Sequence, residues 1–239
     1  MFLHDTHFHL DLGQNPEEMV LQIETAKIYT IAFTNAPSVF FHTKKITENS
    51  KYIRAALGLH PELAAQRKNE ITQFIKLVTE TKYIGEIGLD NQNKTADDYS
   101  IQKQLFQKIL IACADKKDKI LTVHSRKAST DVVSMIGKDF PGKVILHWYS
   151  GSIKDLETAL INGFYFSINY PMTISEAGRR IIERIPAERI LIETDGPFTT
   201  LGKVSFNPTM VKLIFKNLHS LNSFISEYSL HKNFHNLLS

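Results

Sequence analysis

Lys119-Ile120-Leu121-Thr122-Val123-His124-Ser125-Arg126 is a short, largely apolar run that stops abruptly on three polar residues. An almost unbroken apolar run of this length reads as a strand buried on both faces, which is what a parallel strand covered by helices requires. The same pattern stands at Ile190-Leu191-Ile192, closed by Glu193-Thr194-Asp195. Candidate strands of this kind cover Leu3 to His9, Tyr29 to Thr34, Tyr52 to Leu57, Tyr83 to Ile87, Ile120 to His124, Val144 to His147, Phe164 to Asn169 and Ile190 to Glu193. That makes eight, and they alternate with segments whose apolar residues recur at helical spacing.

The helix starts are locally encoded. Asn15-Pro16-Glu17-Glu18 and Thr173-Ile174-Ser175-Glu176 each place a capping side chain three residues before a Glu, and Asn207-Pro208 puts Pro at a first helical position. After Asp98, the residues Ile101, Leu105, Ile109 and Ala112 or Cys113 form one buried stripe. Eight β-then-α units over 239 residues predict an α/β (β/α)8 barrel, a single domain over 1–239. A doubly wound open sheet is the runner-up, but no Gly-rich phosphate turn follows the first strand.

The composition, 43% hydrophobic, 22% charged and 10% aromatic, excludes disordered, collagenous and low-complexity classes. A net charge of +3 permits nucleic acid as a partner without demanding it. Cys113 is the single cysteine and has no intrachain partner for a disulfide. Met1-Phe2-Leu3-His4-Asp5 lacks the basic and apolar regions of a signal peptide, and no run of about 18 apolar residues occurs. The expectation is a cytoplasmic protein with no membrane partner.

In a barrel the strand ends open on one face, where barrel enzymes hold their sites. His7 and His9 are two apart on the first strand, so both imidazoles reach toward one ion. His124 and His147 each terminate an apolar strand, and Glu86 and Asp195 are strand-end carboxylates whose burial calls for a cation. Four imidazoles and two carboxylates suffice for two ions: His7, His9 and Asp195 at one, His124 and His147 at the other, with Glu86 bridging. Such a pair clamps the attacking and departing oxygens of a phosphoryl transfer, so the expected reaction class is hydrolysis.

Asp5-Thr6-His7-Phe8-His9-Leu10-Asp11, Gly58-Leu59-His60-Pro61, Gly85-Glu86-Ile87-Gly88-Leu89-Asp90, His124-Ser125-Arg126, His147-Trp148-Tyr149-Ser150-Gly151-Ser152 and Glu193-Thr194-Asp195-Gly196-Pro197, in this order, resemble the TatD family of metal-dependent deoxyribonucleases. The resemblance spans essentially the whole chain. It implies the TIM barrel of the amidohydrolase superfamily and a divalent-metal-dependent DNase, often a 3′-to-5′ exonuclease on single-stranded DNA. It also implies that His60 faces phosphate or acts as an acid, and that Asp195 is both a ligand and the base for the attacking water. Glu193 stands as a further ligand or a residue behind the ligands, with a pairing to Arg189 as its structural alternative. Substrate contacts are expected from His60, Arg126, Trp148 and Ser150, Trp148 and Tyr149 offering stacking surface to a base.

The wording His147-Trp148-Tyr149-Ser150 marks a subgroup that resembles nucleases of bacterial antiphage defence operons, which implies defence-system partner proteins. Two departures stand against carrying specificity across: Gly202-Lys203-Val204-Ser205-Phe206-Asn207-Pro208 holds a single Lys, and Asn91-Gln92-Asn93-Lys94 lacks the family's aromatic-basic character. The imidazole-rich set suits Zn or Mn, whereas the family is frequently assayed with Mg. The same residues would serve an esterase, lactonase, phosphotriesterase or D-aminoacyl-tRNA deacylase; a non-catalytic binding subunit of a defence complex is the third reading. Gly137-Lys138-Asp139-Phe140-Pro141-Gly142-Lys143 mimics a P-loop but precedes a strand and lacks the Ser or Thr; His231 and His235 read as a solvated helical pair, and Cys113 as core.

Overall fold

The computed structural model describes residues 3–239; Met1 and Phe2, the start of the stretch in which no leader is read, lie outside the described residues. In chain order the elements are β1 (His4–Phe8), α1 (Pro16–Ala26), β2 (Tyr29–Phe33), α2 (Pro37–Thr47), β3 (Ile53–Ala56), α3 (Ala64–Arg67), α4 (Ile71–Leu77), β4 (Tyr83–Gly88), α5 (Ala96–Ala114), β5 (Ile120–His124), α6 (Ser129–Ile136), β6 (Lys143–His147), α7 (Ile153–Ile161), β7 (Tyr165–Ile168), α8 (Tyr170–Ile174), α9 (Glu176–Ile182), β8 (Ile190–Ile192), the short strands β9 (Thr200–Leu201) and β10 (Val204–Ser205), α10 (Val211–Leu221) and α11 (Glu227–Leu238). All eight expected strands are present; the first seven are each followed by helix, and the eighth reaches α10 only after the β9–β10 hairpin. Among the described residues no helix is long and apolar enough to cross a membrane.

The chain forms two compact units. One holds the residues through Phe33, His42–Ala55 and Phe166–Ser239. In it β1 pairs in parallel with β2, with His4 opposite Tyr29 and Phe8 opposite Ala32, and β7 pairs in parallel with β8. Phe8, Leu10, Ile23, Ala32 and Ile53 are buried together under Met19 and Val20 of α1, whose first turn is capped by the Asn15 side chain accepting from Glu18 N.

The other unit holds Thr34–Phe41 and Ala56–Tyr165. Here β4, β5 and β6 are parallel neighbours, Gly88 lying opposite His124 and Val123 opposite Leu146. Gly88 has φ 126°, and a Cβ there would stand 2.2 Å from the His124 carbonyl oxygen, so only glycine lets these two strand ends close up. Leu105, Ile109 and Cys113 of α5 are buried as the stripe requires; burial pushes the Cys113 thiol up to about 12, in keeping with a core residue.

Two local expectations are corrected. Ile101 is only partly buried, because Gln102 takes the inward position and its amide makes two bonds to the Asp90 backbone, at 2.8 and 2.9 Å. Thr173 does not cap the helix before Glu176. It lies inside α8, which Asn169 and Pro171 start earlier, and Ser175 caps α9 instead. The P-loop mimic ends α6 at Gly137 and begins β6 at Lys143, and His231 and His235 are exposed on α11.

Candidate metal centre

In the first unit the period of an extended strand puts His7 and His9 on one side, and their Nε2 atoms are 3.1 Å apart. Asp195 Oδ1 stands 3.7 Å from His7 Nε2 and 3.6 Å from His9 Nε2, with all three residues buried. The backbone carries this arrangement. Asp195, at left-handed φ 49°, donates its N–H to the His7 carbonyl at 2.8 Å, and His9 N–H donates to the Gly196 carbonyl at 2.9 Å. A Cβ on Gly196 would meet the Phe206 carbonyl oxygen at 1.9 Å, so glycine is required beside the ligand. His7 stacks on Phe33 at 4.4 Å, and His9 meets the Phe198 ring at right angles at 5.1 Å.

These three donors fit a divalent ion. Ligands at about 2.1 Å from a tetrahedral centre stand about 3.4 Å apart, which is the spacing of this triad. Behind it, the buried Asp5 accepts from Thr194 through both its N–H, at 2.9 Å, and its hydroxyl, and from His7 N–H at 3.1 Å. Burial nevertheless raises its carboxyl to about 7. Glu193 is fully buried and accepts from the Ser167 hydroxyl and, at 3.2 Å, from the Asn169 amide. These bonds orient it within the strand ends of the first unit.

In the second unit the donors converge on one oxygen. Glu86 Oε1 is 2.8 Å from His124 Nδ1, 2.8 Å from His147 Nε2 and 3.1 Å from His60 Nε2, and the two former nitrogens are 3.4 Å apart. Burial alone would raise the Glu86 carboxyl. The charges of His60 and His147, with hydrogen bonds from His124 and His147, overcome it and hold the group well below the usual carboxylate range. A carboxylate poised this way among imidazoles is a donor set suited to a zinc- or manganese-like cation. His60 Nδ1 accepts from Glu62 N–H at 3.1 Å, so in the neutral ring the proton sits on Nε2, aimed at Glu86.

Sequence reasoning gave Asp90 no role, and the structure gives it one. Its Oδ2 lies 2.8 Å from His124 Nε2 and accepts from Arg126 Nε at 2.9 Å; its Oδ1 accepts from Gln92 N–H at 2.8 Å. This fixes the His124 ring so that Nδ1 turns to Glu86, the carboxylate–histidine relay that orients metal ligands. Although burial opposes it, the His124 bond and Arg126 charge lower the Asp90 carboxyl to about 2, and the bonds to Asp90 and Glu86 raise His124 against its own burial. In sequence the only hint was its place two residues beyond Gly88, where β4 ends.

The expected substrate contacts are less converged. Arg126 is half-exposed, and its guanidinium is held by Asp90 and, at 2.9 Å, by Glu62. Trp148 follows His147 at φ 38° and is half-buried, and Ser150 is exposed. Tyr149 is buried and donates its hydroxyl to the Ser152 carbonyl at 2.7 Å, which makes it packing rather than a stacking surface.

The chain is similar to known proteins along nearly its whole length. Residues 4–237 match the family model described as TatD related DNase. The uncharacterized metal-dependent hydrolase YabD of Bacillus subtilis (strain 168) is 31% identical over 237 residues, 92% of this chain and 91% of its own. A protein of Encephalitozoon cuniculi (strain GB-M1) named as a candidate deoxyribonuclease, a TATDN1 homolog, is 28% identical over 192 residues, 78% of this chain and 67% of its own. The crystal structure of YjjV, the TatD homolog from Escherichia coli K12, superposes with a TM-score of 0.87 at 24% identity, covering 98% of this chain and 97% of that one, which shows the α/β TIM-barrel fold. The chain therefore belongs to the TatD-related DNase family and is a metal-dependent hydrolase.

Proposed function

We propose that the protein hydrolyses phosphodiester bonds of DNA, as a 3′-to-5′ exonuclease on single strands, with two divalent ions as cofactors, Zn, Mn or Mg. The observation that carries this reading is the gathering of three imidazoles, His60, His124 and His147, at 2.8–3.1 Å around one carboxylate oxygen of Glu86. His7, His9 and Asp195 would hold one ion; Glu86, His124 and His147 would hold the other. Bound ions supply Lewis acidity toward a phosphodiester.

The chain's own residues do the rest. Asp195 accepts the proton of the attacking water as its oxygen bonds to phosphorus. His60 Nε2 gives its proton to the sugar oxygen as the P–O bond to it breaks, so the proton count balances. Arg126 reaches the substrate phosphate by exchanging Glu62 for it, Trp148 and Ser150 line the strand's path, and Glu193 keeps the ligand-bearing strand ends in register. The eight β-then-α units further support one domain over 1–239, the single cysteine and the lack of a signal-peptide pattern support action in the cytoplasm, and the His147-Trp148-Tyr149-Ser150 wording supports a place in an antiphage defence system with its own partner proteins.

Purified protein on 3′-labelled single-stranded DNA, with each metal, with EDTA and as Glu86→Ala, tests this reading against ester and lactone substrates. Metal-dependent release of nucleotides from the 3′ end, abolished by EDTA and by the substitution, is the expected result. Turnover of a lactone, a phosphotriester or an aminoacyl ester with no cleavage of DNA would replace the nuclease by the second hydrolase reading. No turnover at all would leave a binding subunit.

A further inference from the structure

We infer that Phe198 and Lys203 form a subsite for the terminal unpaired base of single-stranded DNA and its adjoining phosphate, an inference that rests on the nuclease reading. Phe198 N–H donates to the Asp195 carbonyl at 2.9 Å, so the residue is tied by its backbone to a candidate metal ligand. Its ring stands 5.1 Å from the His9 ring, at 87° to it. Yet 58% of the residue is open to water, while Phe8, Phe33 and Phe206 of the same unit are buried. A single exposed apolar side chain needs no explanation. One seated against a candidate ligand, at the head of an exposed apolar hairpin, does.

That hairpin follows at once. Leu201 and Val204 are cross-strand partners on β9 and β10 and therefore share a face, 42% and 60% exposed. Gly202 at φ 63° makes the two-residue turn and leaves Lys203 exposed at its tip. An aromatic ring beside a candidate metal ligand and an exposed ammonium five residues further on offer what a nucleic-acid strand presents: a flat base to stack and an anionic phosphate. Every base has a face to offer, so the subsite is indifferent to sequence. Within a duplex the terminal base is held by its pairing and by the base stacked beneath it, so the same ring favours single-stranded or frayed ends.

The test uses decathymidylate with phosphorothioate linkages and 2-aminopurine at its 3′ end, whose fluorescence falls on stacking, and the full-length protein with its native metal. Wild type should quench the probe, Phe198→Ala should lose the quench, and Phe198→Trp should restore it. With ordinary phosphodiester DNA, Phe198→Ala should raise KM about 10-fold and change kcat less. An abasic 3′ end should abolish the difference between wild type and Phe198→Ala, and Lys203→Ala should weaken binding and its salt dependence. Quenching by Phe198→Ala equal to wild type, in a variant with unchanged circular dichroism, overturns the subsite while the nuclease reading stands. Quenching without cleavage by wild type upholds the subsite and sinks the nuclease reading; neither quenching nor cleavage sinks both.

Discussion

The two donor sets are built by opposite means. In the first unit, His7 and His9 are held by rings, Phe33 and Phe198, and by backbone bonds with Asp195 and Gly196, and Asp195 Oδ1 stands 3.7 and 3.6 Å from their Nε2 atoms. In the second, polar contacts of 2.8–3.1 Å run from His60, His124 and His147 to Glu86, and on from His124 to Asp90 and Arg126. The first is a set of ligands placed by packing and strand geometry. The second is a network in which each member fixes the charge and tautomer of the next. The lesson is that the first should tolerate loss of a polar neighbour and the second should not.

The largest expected effect tests that difference directly. Glu86→Ala should abolish hydrolysis and remove one metal equivalent per chain by elemental analysis, whereas His9→Ala should remove the other equivalent and leave the second set loaded. Loss of both equivalents in either variant would mean that the two sets do not load independently.

The contrast extends to two histidines shifted in opposite directions, His124, which is partly buried, and His4, which is fully buried. His124 is raised by its carboxylates. His4, stacked on Phe234 at 4.5 Å and accepting from Ile192 N–H at 3.3 Å, is lowered to about 3, by burial first and by the charge of His231 second. Between an unfolded value near 6.5 and about 3 the unfolded chain binds a proton that the folded chain refuses, so stability is lost as the pH falls through that window. Urea melts of the EDTA-treated protein at pH 7, 5 and 4 should show His4→Phe losing less stability than wild type on acidification, by an amount on the order of a few kcal/mol. Parallel losses in the two proteins would place the acid-sensitive group elsewhere.

The degree to which this was legible in the sequence follows the same division. The eight strands were readable because continuous apolar runs identify buried parallel strands, and His7 and His9 because one strand carries both and its period is two. Fold boundaries slipped where two local signals compete. Thr173 and Ser175 both offer a helix cap, and Asn169-Tyr170-Pro171 had already claimed the first turn. Gln102 displaced Ile101 because a polar side chain that satisfies buried backbone groups outranks one more apolar residue on an amphipathic stripe. Asp90 escaped because its partner His124 is 34 residues away, and no local pattern says which ring nitrogen a carboxylate will hold.

That residue gives the smallest and most discriminating expectation. Asp90→Ala should lower metal affinity about 10- to 100-fold, with the loss confined to the set containing His124. Competition with a chromophoric chelator reads this as one weakened equivalent beside one unchanged. Asp90→Asn keeps an acceptor for His124 Nε2–H but removes the charge that Arg126 answers, so its loss should fall between wild type and Ala. A purely structural role predicts instead that the alanine variant melts earlier while both equivalents keep their affinity. Equal weakening of both equivalents would show that the packed set leans on the polar one, and the contrast between them would then be one of construction without independence.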